Sequence, residues 1–137
     1  MLSLKTFIGT RSDSYREEVT SDRIQAFCKA IGIEDRSVAP PTFLTVFRKG
    51  EFELFQILGI ELSKVLHAEQ EYQYEHPIRG GDFVHFQTVV SQILEKNGST
   101  TRMQFFTFET EILVEKGSDT QQRAGKSKTT IVIREKV

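Results

Sequence analysis

Between Leu66 and Phe83 the chain reads LHAEQEYQYEHPIRGGDF, and its alternation leaves it few ways to fold. From Ala68 to His76, the side chains of Ala68, Gln70, Tyr72, Tyr74 and His76 fall on one face, and Glu69, Glu71, Gln73 and Glu75 on the other. That period of two is the signature of a half-buried strand with its acidic face in water. Pro77 removes a ladder donor, Gly80 and Gly81 permit positive φ, and Asp82 can bond nearby backbone. IRGGD therefore predicts a turn into a strand starting at Phe83, giving a hairpin whose corner carries Arg79 and Asp82.

Helical spacing appears only upstream of this stretch. Thr20 or Ser21 can cap a helix in which Ile24, Phe27, Cys28 and Ile31 recur at i, i+3, i+4 and i+7, with Asp22 in its first turn and Gly32 as its stop. Tyr15 to Val19 reads as a short strand before it. After the loop IEDRSVAPP, whose paired prolines cannot continue a helix, Thr42 to Leu58 is apolar on more than one face and suits a helix wrapped by other structure on most sides. Gly50 predicts a break in that helix, at a cost of about 1 kcal/mol relative to alanine. Phe83 to Ile93 and Thr101 to Glu115 read as strands joined through Asn97-Gly98, a strong hairpin signal, and Ser127 to Arg134 reads as the last strand after a polar loop. The expected order is a short strand, two helices and a four-stranded antiparallel meander, an α+β chain forming one domain over residues 1–137.

Charge and composition narrow the partners. A formal net charge of −1 with 27% charged residues offers no electrostatic case for nucleic acid or an anionic membrane. No apolar run is long enough to span a bilayer and the first residues lack a signal-peptide core, so a cytoplasmic chain is expected. Cys28 is the sole cysteine and falls on the apolar stripe of the first helix, which makes it a small core residue and leaves no cysteine metal site. His67, His76 and His85 lie on different elements with no second metal-ligand signal, so neither a metal nor a cofactor is implied. Eleven phenylalanines and no tryptophan point to a thick core or a lined pocket.

The segments APPTF (Ala39 to Phe43), VLHAEQEYQYEHPIRGGD (Val65 to Asp82) and TTIVIRE (Thr129 to Glu135) resemble the N-terminal, substrate-holding domain of MaoC-like dehydratases. That family comprises (R)-specific enoyl-thioester hydratases and 3-hydroxyacyl-thioester dehydratases. The resemblance runs from about Tyr15 onward and implies a hot-dog fold, an antiparallel sheet wrapped around a central apolar helix. It also implies an acyl-CoA or acyl-carrier-protein thioester as ligand and an oligomer made by pairing sheets edge to edge. Active members carry an aspartate and a histidine about five residues apart, an acid/base pair that works only when both reach the same substrate. Here Asp35 stands at the matching place, and no histidine follows it.

Three readings follow from that gap. The chain is the non-catalytic half of a two-chain dehydratase, in a heterodimer with a catalytic MaoC-like chain; or it is a self-sufficient hydratase that pairs Asp35 with a relocated group such as His67 or His76; or it is an acyl-CoA thioesterase or plain acyl-thioester binder on the same scaffold. A scaffold domain that binds no thioester is a further class. By the resemblance, the free N–H groups at the helix start formed by Pro41 and Thr42 polarise the thioester carbonyl, and Phe43, Phe47 and Phe52 line a slot for the acyl chain. Each has a plainer alternative: His67 bonding a backbone carbonyl, Asp35 as a loop carboxylate, and the phenylalanines as core.

Overall fold

The structure is a computed structural model that describes residues 4–35, 37–117 and 120–136. A 3-10 turn, Leu4–Phe7, precedes β1 (Tyr15–Val19) and α1 (Ser21–Ile31). A 3-10 helix, Pro41–Val46, leads into α2 (Lys49–Leu58), and after a short 3-10 turn come β2 (Val65–Tyr74), β3 (Asp82–Asn97), β4 (Thr101–Glu115) and β5 (Gln121–Lys136). The five strands form one antiparallel sheet in the order β1-β3-β4-β5-β2. No helix among the described residues is long and apolar enough to cross a membrane.

Strand identities follow the sequence pattern, and so do the faces of β2 from Glu69 to Tyr74, but Ala68, expected on the inward face, is exposed at a bulge, and the pairing of β2 is not the expected one. Gln70, Tyr72 and Tyr74 are half-buried while Glu69, Glu71 and Gln73 are exposed, as alternation requires. The expected β2/β3 hairpin is absent: β2 pairs with β5, β3 pairs with β1 and β4, and the meander is confined to β3, β4 and β5. Residues 75–81 instead cross the end of the sheet, held by Ile78, which is fully buried, and by the Gly81 N–H donating to the Val19 carbonyl at 2.7 Å. Three strand spacings span about 14 Å, which seven residues cover with ease. The turn chemistry read from IRGGD is present all the same, with the Arg79 N–H donating to the Asp82 carboxylate at 2.7 Å. Extra residues at Ala68, Ser91 and Ala124 shift the register of β2, β3 and β5, and such bulges bend a sheet.

The first helix forms over the expected span, but Ile31, expected on its buried stripe, falls in the last turn and is 47% exposed. The Thr20 side chain accepts from the Arg23 N–H, Gly32 takes the left-handed cap, and Ile24 and Cys28 are buried. The second does not run unbroken from Thr42. Its break falls at Phe47 and Arg48, where the 3-10 helix gives way to α2, and Gly50 lies within the first turn of α2. The reason is close approach: a Cβ on Gly50 would stand 2.6 Å from both Ser12 Oγ and Thr88 Oγ1. Glycine here seats the helix on β3. Nor is α2 enclosed on most sides, since Phe52 and Ile57 remain exposed. The last strand begins at Gln121, six residues earlier than expected, because Gln121, Gln122 and Arg123 pair with β4 despite their polarity.

The interior is divided in two. One apolar cluster gathers Ile24, Cys28, Phe43, Phe47, Phe86 and Val114; the other gathers Leu54, Phe55, Val90, Phe106, Phe108 and Ile131. Between them runs a buried polar row, in which Thr88 opposes Thr110 and Thr110 opposes Ser127. The two threonine hydroxyls bond each other at 2.7 Å, and Ser12 Oγ accepts from the Thr88 N–H at 3.0 Å. Each buried hydroxyl there has a partner, which removes the desolvation penalty it would otherwise carry. With the 3-10 helix against β2 and β5 and α2 against β3 and β4, this is the α+β hot-dog arrangement.

Candidate functional site

The front of the 3-10 helix is built by short contacts to both neighbouring segments. Val38 bridges to Arg79, and the Ala39 N–H donates to the Ile78 carbonyl at 2.8 Å. The Tyr74 hydroxyl, from the inward face of β2, donates to the Ala39 carbonyl at 3.2 Å. Pro40 precedes the helix in an extended conformation and Pro41 opens it, so the prolines fix the direction of entry. Thr42 is exposed beside them. Leu44 packs down onto β5 at Gly125, where a Cβ would stand 2.3 Å from the Gln73 carbonyl oxygen and 2.8 Å from Leu44 Cδ1. Pro41 and Thr42 therefore stand as a fixed rim above the β5/β2 side of the sheet.

The three phenylalanines read as slot residues are split by the fold. Phe43 and Phe47 are 1% and 2% exposed, stacked edge-on at 5.7 Å between Phe27 and Phe86. They hold the rim from behind. Phe52 is 39% exposed under the Arg48 guanidinium, on the opposite side of the helix break.

Among the described residues no hydrogen bond or ion pair joins Asp35 to His67. Asp35 is an exposed loop residue, and its neighbour Ile33 packs on the first apolar cluster; Val65, two residues before His67, packs on the second. His67 is exposed, with Nε2 3.1 Å from Gln70 Oε1. That oxygen only accepts, so Nε2 carries the proton. The other histidines are engaged as well: His76 Nδ1 donates to the Arg123 carbonyl at 2.7 Å, and His85 Nε2 lies 2.9 Å from Glu115 Oε1. Arg16 and then His85, both bonded to the Glu115 carboxylate, hold its pKa down at about 2. This pair sits on odd-numbered, outward positions of β3 and β4, away from the helices. Among the described residues, no group of three or more His, Cys, Asp and Glu lies together as a metal site would require.

Two polar features escaped the sequence reading. Gln70 anchors a network on the inward face of β2 and β5, donating to Ser127 Oγ at 2.9 Å and accepting from the Thr129 hydroxyl at 2.9 Å. The signal was a lone amide on a face otherwise carrying tyrosines. Glu51 is 3% exposed in the first turn of α2, bonded to Arg48 at 2.8 Å. The positive end of the helix dipole and that guanidinium together make a buried carboxylate tolerable there.

Residues 6–120 match the family model of the FAS1-like dehydratase domain region. The chain belongs to this family. As a FAS1-like dehydratase-region chain it is 31% identical over 98 residues to a UPF0336 protein of Thermobifida fusca, an alignment covering 69% of this chain and 61% of that one. It spans less than two thirds of the length of the curated relatives it matches. Its fold is similar to that of the C-terminally truncated HadBC (3R-hydroxyacyl-ACP dehydratase) complex of Mycobacterium tuberculosis, with TM-score 0.71 and 17% identity over 92% of this chain and 96% of that one. It is also similar to the MaoC-like dehydratase of Rhodospirillum rubrum, with TM-score 0.62 and 20% identity over 97% of each chain. At these identities the likeness to solved structures establishes the hot-dog fold alone.

Proposed function

We propose that this chain is the substrate-holding, non-catalytic subunit of a two-chain enoyl-thioester hydratase or 3-hydroxyacyl-thioester dehydratase. The observation that carries the reading is the dispersal of its acid/base groups. Among the described residues no histidine bonds Asp35, and His67, His76 and His85 each have another partner. Adding water across an enoyl thioester, or removing it, requires one group to move a proton on the water and another on the α-carbon, both within hydrogen-bond reach of one substrate. A partner hot-dog chain with an intact Asp/His pair supplies that chemistry. This chain presents the Pro41–Thr42 rim, with the Thr42 N–H donating to the thioester carbonyl. The fold's likeness to subunits of a dehydratase complex supports the two-chain assembly.

The test is crotonyl-CoA and a longer trans-2-enoyl-CoA offered to the purified chain, with melting temperature and loss of the enoyl absorbance both recorded. The expected result is a melting temperature that rises with ligand and no hydration until a chain with an intact Asp/His pair is added. Turnover by the chain alone that is abolished by Asp35→Asn or His67→Ala would make it a self-sufficient hydratase. Release of free thiol would make it a thioesterase instead. No thermal shift with any acyl-CoA or acyl-carrier-protein thioester would mean that it holds no thioester.

A further inference from the structure

The two edges of the sheet differ. β1 is five residues long, whereas β2 presents ten, Val65–Tyr74, with β5 alongside on one side and no strand on the other among the described residues. Half of the backbone N–H and C=O groups of such a strand point away from its neighbour, which makes it a template for another strand. Its outward face is acidic. Glu69 and Glu71 are exposed, and Glu75 follows at the same alternation. Glu71 and Glu75 have cations of their own chain nearby, Lys128 at 3.9 Å and Arg123 at 3.1 Å, yet Glu71 remains 70% exposed. Glu69 faces Thr130 across the ladder and has no ion partner among the described residues.

In registers centred near the middle of the strand, a two-fold pairing of β2 with a second copy sets members of this row opposite one another. Centred on Gln70, it sets Glu69 against Glu71 of the copy, twice. Centred on Glu71, it sets Glu71 against itself; centred on Tyr72, Glu69 meets Glu75, twice. A register offset by one residue would turn the copy's inward side chains to solvent. Like charges directly opposite each other on a sheet are unfavourable, and opposite charges are favourable. The inward face raises no such objection, because Gln70, Tyr72 and Tyr74 are neutral.

From this geometry we infer that the free edge of β2 is a pairing surface sorted by charge: it rejects a second copy of this chain and takes the edge strand of a different chain with lysine or arginine at its outward positions. The inference rests on the two-chain assembly proposed above and names the chemistry of the partner edge.

Charge reversal tests it without the natural partner. Sedimentation equilibrium is run on the full chain, on Glu69→Lys/Glu71→Lys, and on their equimolar mixture, at low and high ionic strength. A Glu69→Lys variant, which leaves the Glu71–Lys128 contact in place, is run in parallel, and far-ultraviolet circular dichroism checks that both variants fold. The mixture is expected to dimerise about tenfold more tightly or better than either chain alone, an advantage that shrinks as salt screens the pairs. A wild-type chain that dimerises as tightly as the mixture would overturn the sorting. A mixture that stays monomeric would overturn the pairing surface, with the glutamates then serving only to blunt the edge. Because no acyl ligand enters this measurement, its failure leaves the thioester reading standing on its own test.

Discussion

Gly50→Ala sets helix propensity against packing, and the structure says which prevails. Alanine favours the helical state by at most ~1 kcal/mol over glycine, less in a first turn. The new Cβ, however, would meet Ser12 Oγ and Thr88 Oγ1 at 2.6 Å and Thr88 Cβ at 3.0 Å. Ser12 cannot simply swing away, because its hydroxyl accepts from the Thr88 N–H and donates to the Asp13 carbonyl at 2.8 Å. Lifting the helix or expelling Ser12 costs about 1–3 kcal/mol of overpacking, and one lost hydrogen bond adds ~1 kcal/mol. The net expectation is destabilisation of about 1–3 kcal/mol, a fall in melting temperature of roughly 3–10 °C for a chain of this length. Thermal and urea unfolding followed by circular dichroism measure it. Ser12→Gly removes half of the obstruction, so the double variant should lose less than the sum of the two single changes. A melting temperature unchanged or raised in Gly50→Ala would refute the reasoning, since α2 could not then be seated on Thr88.

Three further outcomes follow from the packing and the charges. Phe47→Ala should cost about 3–5 kcal/mol in the same unfolding assay, because Phe47 fills the first cluster between Phe43 and Phe86. Glu115 is held at about 2, below its ordinary 4.5, by Arg16 first and His85 second. Its contribution to stability is therefore complete above the unfolded carboxylate's pKa and drains as pH falls toward 2; the melting temperatures of wild type and Glu115→Gln should differ above that range and converge below it. The Glu53 carboxylate, bonded to the Tyr15 hydroxyl, pushes that phenol from 10.0 up to about 12. Ultraviolet titration should show one tyrosine ionising near pH 12, absent from Tyr15→Phe, with stability lost between pH 10 and 12 as the unfolded phenol ionises first.

Local structure was legible in the sequence where one period dominates. The cap at Thr20, the burial of Ile24 and Cys28 on α1, the alternation of β2 from Glu69 to Tyr74 and the Asn97-Gly98 turn all depend on neighbours within a few residues, and all are present. The partner of β2 was not legible, because alternation fixes which face is buried but says nothing of which strand lies alongside. A turn of the IRGGD type serves a hairpin and a crossover equally. The break at Phe47 was missed for a related reason: glycine lowers helix propensity, yet Gly50 was selected by the sheet beneath it and not by the helix. The resemblance singled out Asp35, Pro41 and Thr42, and a helix start at Pro41 is present. The Gln70 network and buried Glu51 depend on residues brought together across the sheet and under the helix, which no short window contains.

The crossover has a consequence for assembly that a β2/β3 hairpin would not. By sending the chain over the end of the sheet, it leaves β2 at the edge and places Tyr74 beneath the Ala39 carbonyl, one residue before the proline pair. The 3-10 helix that carries Pro41 and Thr42 packs on β2 and β5, the side of the sheet on which a further strand would add, with Leu44 beside Gly125. On the two-chain reading proposed above, the acid/base pair would arrive on the chain that pairs along this edge.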